Sequence, residues 1–337
     1  MLIKELSVRF HVGIDVSKLT LDIFILECNI HKKVSNNPRG FNDLLQMIEK
    51  NTHVSPELVV FCFEHTGLYS LSLALYLEER NLHYAMVAPL ELKKSLGITR
   101  GKNDKVDSAR IADYARRFGD RVPLTKLPAK DIRKIHYLLN MRERLVKNIH
   151  GHLVTYKETL RVMRPSDFPE LFSFYESTIS MLKAKIKEVE HLIKTILKEN
   201  SALWSSYRLI TSVKGIGLIV AAYLIVYTCN FTRFDTWRRF SCYSGIAPFE
   251  HQSGTSVKGK TQVSPIANRQ IKMLLHLSAI CALHTDTELR EYYQRRQAEG
   301  KSKMAIINIL RNKLIARVFA VIKRGTPFVD IKRYAAT

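Results

Sequence analysis

Asp15, Glu64, Asp104 and Asp107 are the acids whose setting could do chemistry. Asp15 ends one apolar run (Val12-Gly13-Ile14) and Glu64 ends another (Leu58 to Phe63). If these runs are parallel neighbouring strands, their ends lie about 4.8 Å apart on one sheet edge. Open α/β sheets place ligands at that carboxyl edge. Asp104 and Asp107 are three residues apart, so a helix would present both carboxylates on one face. Either motif alone has a plainer use, since acids at a helix start complement its dipole. Four clustered carboxylates repel one another unless cations neutralise them. All-oxygen ligands select hard ions, Mg²⁺ or Mn²⁺. Two such ions about 3.5–4 Å apart can clamp the attacking and leaving oxygens of a phosphodiester. Lys18, Arg100, Lys102, Lys105 and Arg110, interleaved with the acids, would hold phosphate backbone alongside. Asp22 falls mid-strand and reads as solvent-facing, and Asp113 lies too far along its helix to join.

The elements that must position these acids follow from the hydrophobic pattern. Arg9 to Val16, Leu19 to Leu26 and Ile30 to Ser35 read as strands, the third more polar. Helical spacing begins at Pro38, a good first-turn residue, and continues through Phe41, Leu44, Leu45 and Ile48. Leu58 to Glu64 is β-branched and aromatic, hence a buried strand. A helix over Leu68 to Glu79 and a strand over His83 to Val87 follow. Pro89 opens a helix ending near Gly97, and another begins around Asp104. The order β-β-β-α-β-α-β-α predicts a mixed sheet with an antiparallel opening and parallel crossovers.

Composition fixes the class of partner. The 337 residues are 46% apolar and carry a formal charge of +22, which excludes wholesale disorder and creates a field that attracts polyanions. Nucleic acid is the first such partner and an anionic membrane surface the second. Membrane insertion is not expected. The longest uncharged run, Ile216 to Cys229, would span about 20 Å as a helix against a roughly 30 Å hydrocarbon core. Asp15 and Lys18 interrupt the first apolar stretch, so no signal-peptide core forms. Five scattered cysteines without a C-x-x-C pair argue against zinc knuckles and fit a reducing, cytoplasmic setting. No P-loop is present.

Three segments are expected: an α/β domain over 1–125, a helical hairpin over 126–200 and a mostly α domain over 201–337. In the second, Leu182, Ile186, Val189, Ile193 and Ile196 form a heptad seam, and a Pro-containing break over Arg164–Pro169 separates two long helices. That pattern suits a coiled-coil hairpin that dimerises, or helices packed on their own domain. In the third, the residues from Gly245 to Ser264 read as a Gly/Ser/Lys-rich loop. Ser212-Val213-Lys214-Gly215-Ile216-Gly217 before an apolar run is similar to the turn of a helix-hairpin-helix. Its two glycines could let backbone approach a phosphate, or could form an ordinary turn. Lys258, Lys260, Arg269, Lys272, Arg290, Arg295 and Arg296 offer further phosphate contacts, some of them solvated surface. Tyr292 and Tyr293 could stack on bases or simply pack. Trp237 and Phe240 read as core.

Gly13-Ile14-Asp15-Val16-Ser17-Lys18, Phe63-Glu64-His65-Thr66-Gly67 and Lys102-Asn103-Asp104-Lys105-Val106-Asp107-Ser108 resemble the three acidic motifs of the DEDD transposases of bacterial insertion sequences, relatives of the pilin-gene invertases. Ser108 stands before Ala109 where the family's motif runs N-D-x-x-D-A. The resemblance implies an N-terminal domain similar to the resolvase RuvC, an α/β RNase H-like fold, with Asp15, Glu64, Asp104 and Asp107 as metal ligands. Gly245-Ile246-Ala247-Pro248 leading to Ser253-Gly254 resembles the family's C-terminal segment, where the serine before glycine joins covalently to DNA. That role falls on Ser253, with Thr255 replacing the family's frequent second glycine. Ser-Gly by itself is a common loop dipeptide, and Ser244 and Ser256 are rivals in the same loop. The family further implies a structured guide (bridge) RNA, DNA donor and target, and a homo-oligomer. A resolvase-type nuclease using water, or a non-catalytic nucleic-acid-binding protein, are the alternatives.

Overall fold

Strands β1 (Phe10–Val16), β2 (Thr20–Ile25), β3 (Ile30–Ser35), β4 (Val59–Glu64) and β5 (His83–Val87) form one sheet in the order β3-β2-β1-β4-β5. β1 runs antiparallel to β2 and parallel to β4, and β5 continues parallel. The computed structural model describes residues 1–95, 103–253 and 257–330. The chain divides into two units, Met1–Leu127 and Pro128–Thr337.

Both faces of the first unit's sheet are covered, which is why the central strands are nearly continuous apolar runs. On one face, Val12, Ile14, Leu21, Ile23, Phe61 and Phe63 pack against residues of α1 (Pro38–Thr52) and α2 (Leu68–Glu79). Asn37 caps α1 by accepting from the Gly40 amide, and Pro38 takes the first turn, where no donor is needed. On the other face, Val60, Cys62, Ala85 and Val87 meet Leu92 of α3 (Pro89–Ser95) and Ile111, Tyr114 and Ala115 of α4 (Asp104–Arg117).

The second unit begins with α5 (Lys130–Val162) and α6 (Pro169–Glu199). They are antiparallel, since Arg142 binds Glu190 while Tyr156, further along, binds Glu176. Leu182, Val189, Ile193 and Leu197 are buried along α6, and Pro169 starts that helix. Helices α7 (Ser201–Thr211), α8 (Leu218–Tyr227), α9 (Trp237–Tyr243), α10 (Arg269–Thr285), α11 (Thr287–Ala298) and α12 (Lys303–Arg324) follow. The uncharged α8 is the centre of this core, packed with Leu275 and Ala279 of α10 and Leu310 and Leu314 of α12. Phe240 is core and Trp237 packs at its margin.

One expectation is corrected here. The stretch read as a loop from Gly245 to Ser264 is a β-hairpin, β6 (Pro248–Ser253) paired antiparallel with β7 (Val257–Val263). Lysine and glycine depress strand propensity, and cross-strand pairing overrode it, a context dependence usual for strands. Among the described residues, no helix is long and apolar enough to cross a membrane.

Candidate active site

Register places the acids in a row. Asp15 on β1 lies directly opposite Asp22 on β2, and Asp22 lies opposite Lys33 on β3. On the other side Ile14 pairs with Phe63, so Asp15 falls level with Glu64 on the parallel β4. Residues directly opposite across strands share a face. The row therefore reads Glu64, Asp15, Asp22, Lys33 across four strands, on the face covered by α4.

Helix α4 brings the remaining two acids over this row, and Gly13 permits it. A Cβ at Gly13 would meet the Ser108 carbonyl oxygen at 2.1 Å and the Ala112 amide nitrogen at 2.3 Å. Both are backbone atoms that cannot turn aside, so the helix rests directly on the strand two residues before Asp15. Ser108 fits under this contact because it is small and its hydroxyl donates to the Lys105 carbonyl at 2.9 Å. Asn103 caps the helix by accepting from the Lys105 amide at 3.0 Å, and Asp104 and Asp107 occupy the first turn. Gly13→Ala should destabilise the protein by about 3 kcal/mol or fail to fold, the upper range for overpacking against atoms that cannot move. Urea unfolding of the purified variant checks this.

Asp22 corrects the sequence reading. It was expected at a solvent face, but it is 3% exposed. Its oxygens accept from His31 Nε2 and Lys33 Nζ, each at 3.0 Å. The alternation Leu21, Ile23, Ile25 correctly marks one inward face. The other face, also inward here, is hidden from a single strand's pattern because α4 arrives from eighty residues away. Asp113, as expected, stands apart and pairs with Arg116 and Arg117.

Electrostatics tie the acids together. The Asp15 carboxyl is held above its ordinary value by burial first, then by the charges of Asp104, Asp107, Asp22 and Glu64. Lys33 reaches from Asp22 to Asp104 at 3.5 Å, and Arg110 binds Asp107 at 3.0 Å. Two side-chain cations thus already stand against acids of this edge. The donor set, all carboxylate oxygen, suits a hard divalent ion. Among the described residues no three acidic, histidine or cysteine groups are drawn together to ligate one ion as they stand. Asp104 and Asp107 would have to turn from Lys33 and Arg110 to do so.

The expected phosphate contacts are distributed differently. Lys18 is exposed between β1 and β2, and Lys105 is exposed on α4. Arg100 and Lys102 lie outside the described residues. Lys214 binds Asp330. Gly215 has φ +89°, and a Cβ there would meet the Ser278 carbonyl at 2.7 Å, so its close approach is made to α10. Gly217 has open space around it. Ser253 closes the hairpin opposite Val257, one step from Gln252 opposite Lys258, and Lys260 follows on β7. Ser256 lies outside the described residues. Ser244 is buried, and its hydroxyl donates to the Phe240 and Ser241 carbonyls at 2.9 and 3.2 Å. Its proton is engaged and the side chain is buried, so Ser244 is not open to a substrate. At the hairpin root, Phe249, Val263, Pro265 and Ile266 wall an open trough of about 690 Å³.

Comparison with known proteins places this arrangement. A transposase family model of the DEDD type of IS110 matches residues 12–165, spanning Asp15, Asp22, Glu64, Asp104 and Asp107. The model of the "Transposase IS116/IS110/IS902 family" matches residues 207–294, spanning Ser253. The chain is 26% identical over 326 residues to the pilin gene-inverting protein of Moraxella bovis, covering 95% of this chain and 98% of that one. The pilin gene-inverting protein of Moraxella lacunata matches to the same extent. Over 117 residues it is 35% identical to the "Insertion element IS110 uncharacterized 43.6 kDa protein" of Streptomyces coelicolor, covering 35% of this chain and 29% of that one. Both halves therefore define a DNA transposase or recombinase. Within that class, the chain matches the DEDD transposase model of IS110 in its first half and the IS116/IS110/IS902 transposase model in its second.

Proposed function

We propose that this enzyme cuts and rejoins DNA strands of an insertion sequence through a covalent serine intermediate. The observation that carries the reading is the convergence of Asp15, Glu64, Asp104 and Asp107 at one edge of a sheet ordered β3-β2-β1-β4-β5. This order, antiparallel at one end and parallel at the other, supports an RNase H-like assignment for the first unit. The four acids would hold Mg²⁺ or Mn²⁺, two ions by the charge to be neutralised. Such ions offset negative charge on a phosphodiester as it is attacked.

In this scheme the Ser253 oxygen attacks phosphorus and loses its proton. The bond from phosphorus to a sugar oxygen breaks, and that oxygen takes up a proton as the free hydroxyl. Rejoining is the reverse step: a strand hydroxyl attacks the phosphoserine and returns Ser253. One phosphodiester becomes another of similar energy, so no nucleoside triphosphate is consumed. Donor and target DNA, and a structured guide RNA pairing with both, are the polyanions that the charge of +22 would serve. The enzyme would act in the cytoplasm, where such DNA lies.

Strand exchange at two sites calls for more than one subunit, and the α5–α6 hairpin is the proposed contact. Val162 is 83% exposed and Phe174 72% exposed, close to the turn of the hairpin. Phe174→Glu should lower the oligomer's mass toward that of the monomer, read by light scattering after gel filtration. Unchanged mass would remove the hairpin from this role.

The reading is tested with end-labelled element DNA, Mg²⁺ and the element's own transcript. Denaturing electrophoresis should show label migrating with protein. Cut DNA without any protein-bound label would instead favour hydrolysis by water.

A further inference from the structure

Arg311 on α12 is 7% exposed, yet among the described residues no acid shifts its charge and burial alone acts on it. Its guanidinium cannot give up its charge, and a buried charge without a counter-charge is costly. One terminal nitrogen lies 2.6 Å from His276 Nδ1 on α10, and the other reaches Asn308 Oδ1 at 3.5 Å. The Nε hydrogen is buried with no partner among the described residues. Since guanidinium only donates, His276 Nδ1 must accept, and its proton resides on Nε2 as a further donor. Burial and the charge of Arg311 both hold His276 toward its neutral form. Acids of the neighbouring helix ends are already engaged: Asp286 and Glu288 by Arg317, and Glu299 by Arg296.

The position is tied to the hairpin. Asn308 and Asn312 both donate to the Ile246 carbonyl, at 2.9 and 3.0 Å, two residues before β6 begins. Asn308 thus joins the guanidinium on one side to the hairpin root on the other. Met273 and Leu277 of α10 and Met304 of α12 are exposed on the same two helices. Arg311 lies beyond the segments matched by the family models.

We propose that Arg311 and His276 form a phosphate-binding site for a nucleic-acid strand lying along the root of the β6–β7 hairpin. Guanidinium N–H groups suit phosphate oxygens, and an imidazole N–H can add a further donor. The strand from Pro248 to Ser253 extends by about 3.3 Å per residue. A phosphate held at the hairpin root would therefore lie some nucleotides away from one at Ser253, roughly 17 Å along β6, and the site would register the strand. This rests on the chain acting on DNA, as its family does.

The test compares wild-type full-length protein with Arg311→Met and Arg311→Lys, in binding to a duplex of arbitrary sequence across a salt series. Arg311→Met should bind roughly 10- to 100-fold more weakly, the range of one charge-assisted contact. Its slope of log affinity against log salt should be shallower by about 0.9. In nucleic-acid-free buffer its Tm should equal or exceed that of wild type, because an unpaired buried charge has been removed. Arg311→Lys should keep the slope and lose part of the affinity. A lower Tm with unchanged affinity and slope would make Arg311 structural and overturn the site. Loss of oligomer mass in Arg311→Met would assign the guanidinium to a carboxylate of a second copy and also overturn it. If Arg311→Met does not fold, wild type is heated with inorganic pyrophosphate against chloride at equal ionic strength. A higher Tm supports the site, and no difference overturns it. Failure of wild type to bind any duplex would be a failure of the DNA-acting reading itself, visible before the variants are compared.

Discussion

Asp15→Asn should reduce divalent-ion-dependent strand cleavage on the order of 10³-fold or more, the scale of removing one preorganised electrostatic group from a reacting centre. Asp15 occupies the middle of the row, level with Glu64 and opposite Asp22, under the two acids of α4. The same substitution has an opposite effect on stability, which separates loss of chemistry from loss of fold. The Asp15 carboxyl is held above the 3.8 of an ordinary aspartate. The folded protein therefore binds a proton there that the unfolded chain has released. Stability from this group falls as pH rises through the unfolded value to the folded one, and stays lower above it. At neutral pH the metal-free protein carries a charge that is buried first and repelled by its neighbours second, and asparagine removes it. Metal-free Asp15→Asn should unfold at a higher temperature than wild type, and added Mg²⁺ should raise the wild-type Tm but not the variant's. Calorimetry at neutral pH with and without Mg²⁺ reads both. A variant that melts lower, or that still cuts, would remove Asp15 from the centre of the site.

Ser253→Ala should abolish label transfer to protein and lower strand exchange by about 10⁴-fold or more, the scale on which loss of a covalent nucleophile acts. The hydroxyl is the only atom removed, and β6–β7 pairing is made by backbone at Ser253 and Val257. Folding and duplex affinity should therefore be unchanged, which circular dichroism and the binding series check. Ser244→Ala is the internal control. Its hydroxyl already serves two helix carbonyls, so exchange should persist. If Ser253→Ala still cuts DNA at wild-type speed, water is the nucleophile.

Much of the first unit was legible because its signals are local. Every strand expected between Arg9 and Val87 and the helix Leu68–Glu79 fall within a residue or two of their hydrophobic patterns. Helix α1 runs on to Thr52, and the expected end of α3 near Gly97 lies outside the described residues. Caps made the starts clear: Asn37 before Pro38, and Asn103 before the two aspartates. The hairpin at Pro248–Val263 was not legible, because its strands are polar and their pairing depends on partners across the turn. Gly215 looked like a place for phosphate, but its open side is filled by Ser278 and Ala282, residues more than sixty positions away.

By itself, the sequence determined the order of elements, the basic field and the acids ending β1 and β4, because periodicity, charge and strand ends are properties of short stretches. Only the tertiary structure decided that Asp22 is buried beside Asp15, that Gly13 lets α4 settle onto β1, and that Arg311 lies inside a helical layer with no counter-charge among the described residues. Each of these is set by what a distant element does to a face. A face covered from elsewhere in the chain leaves no mark on its own residues' spacing.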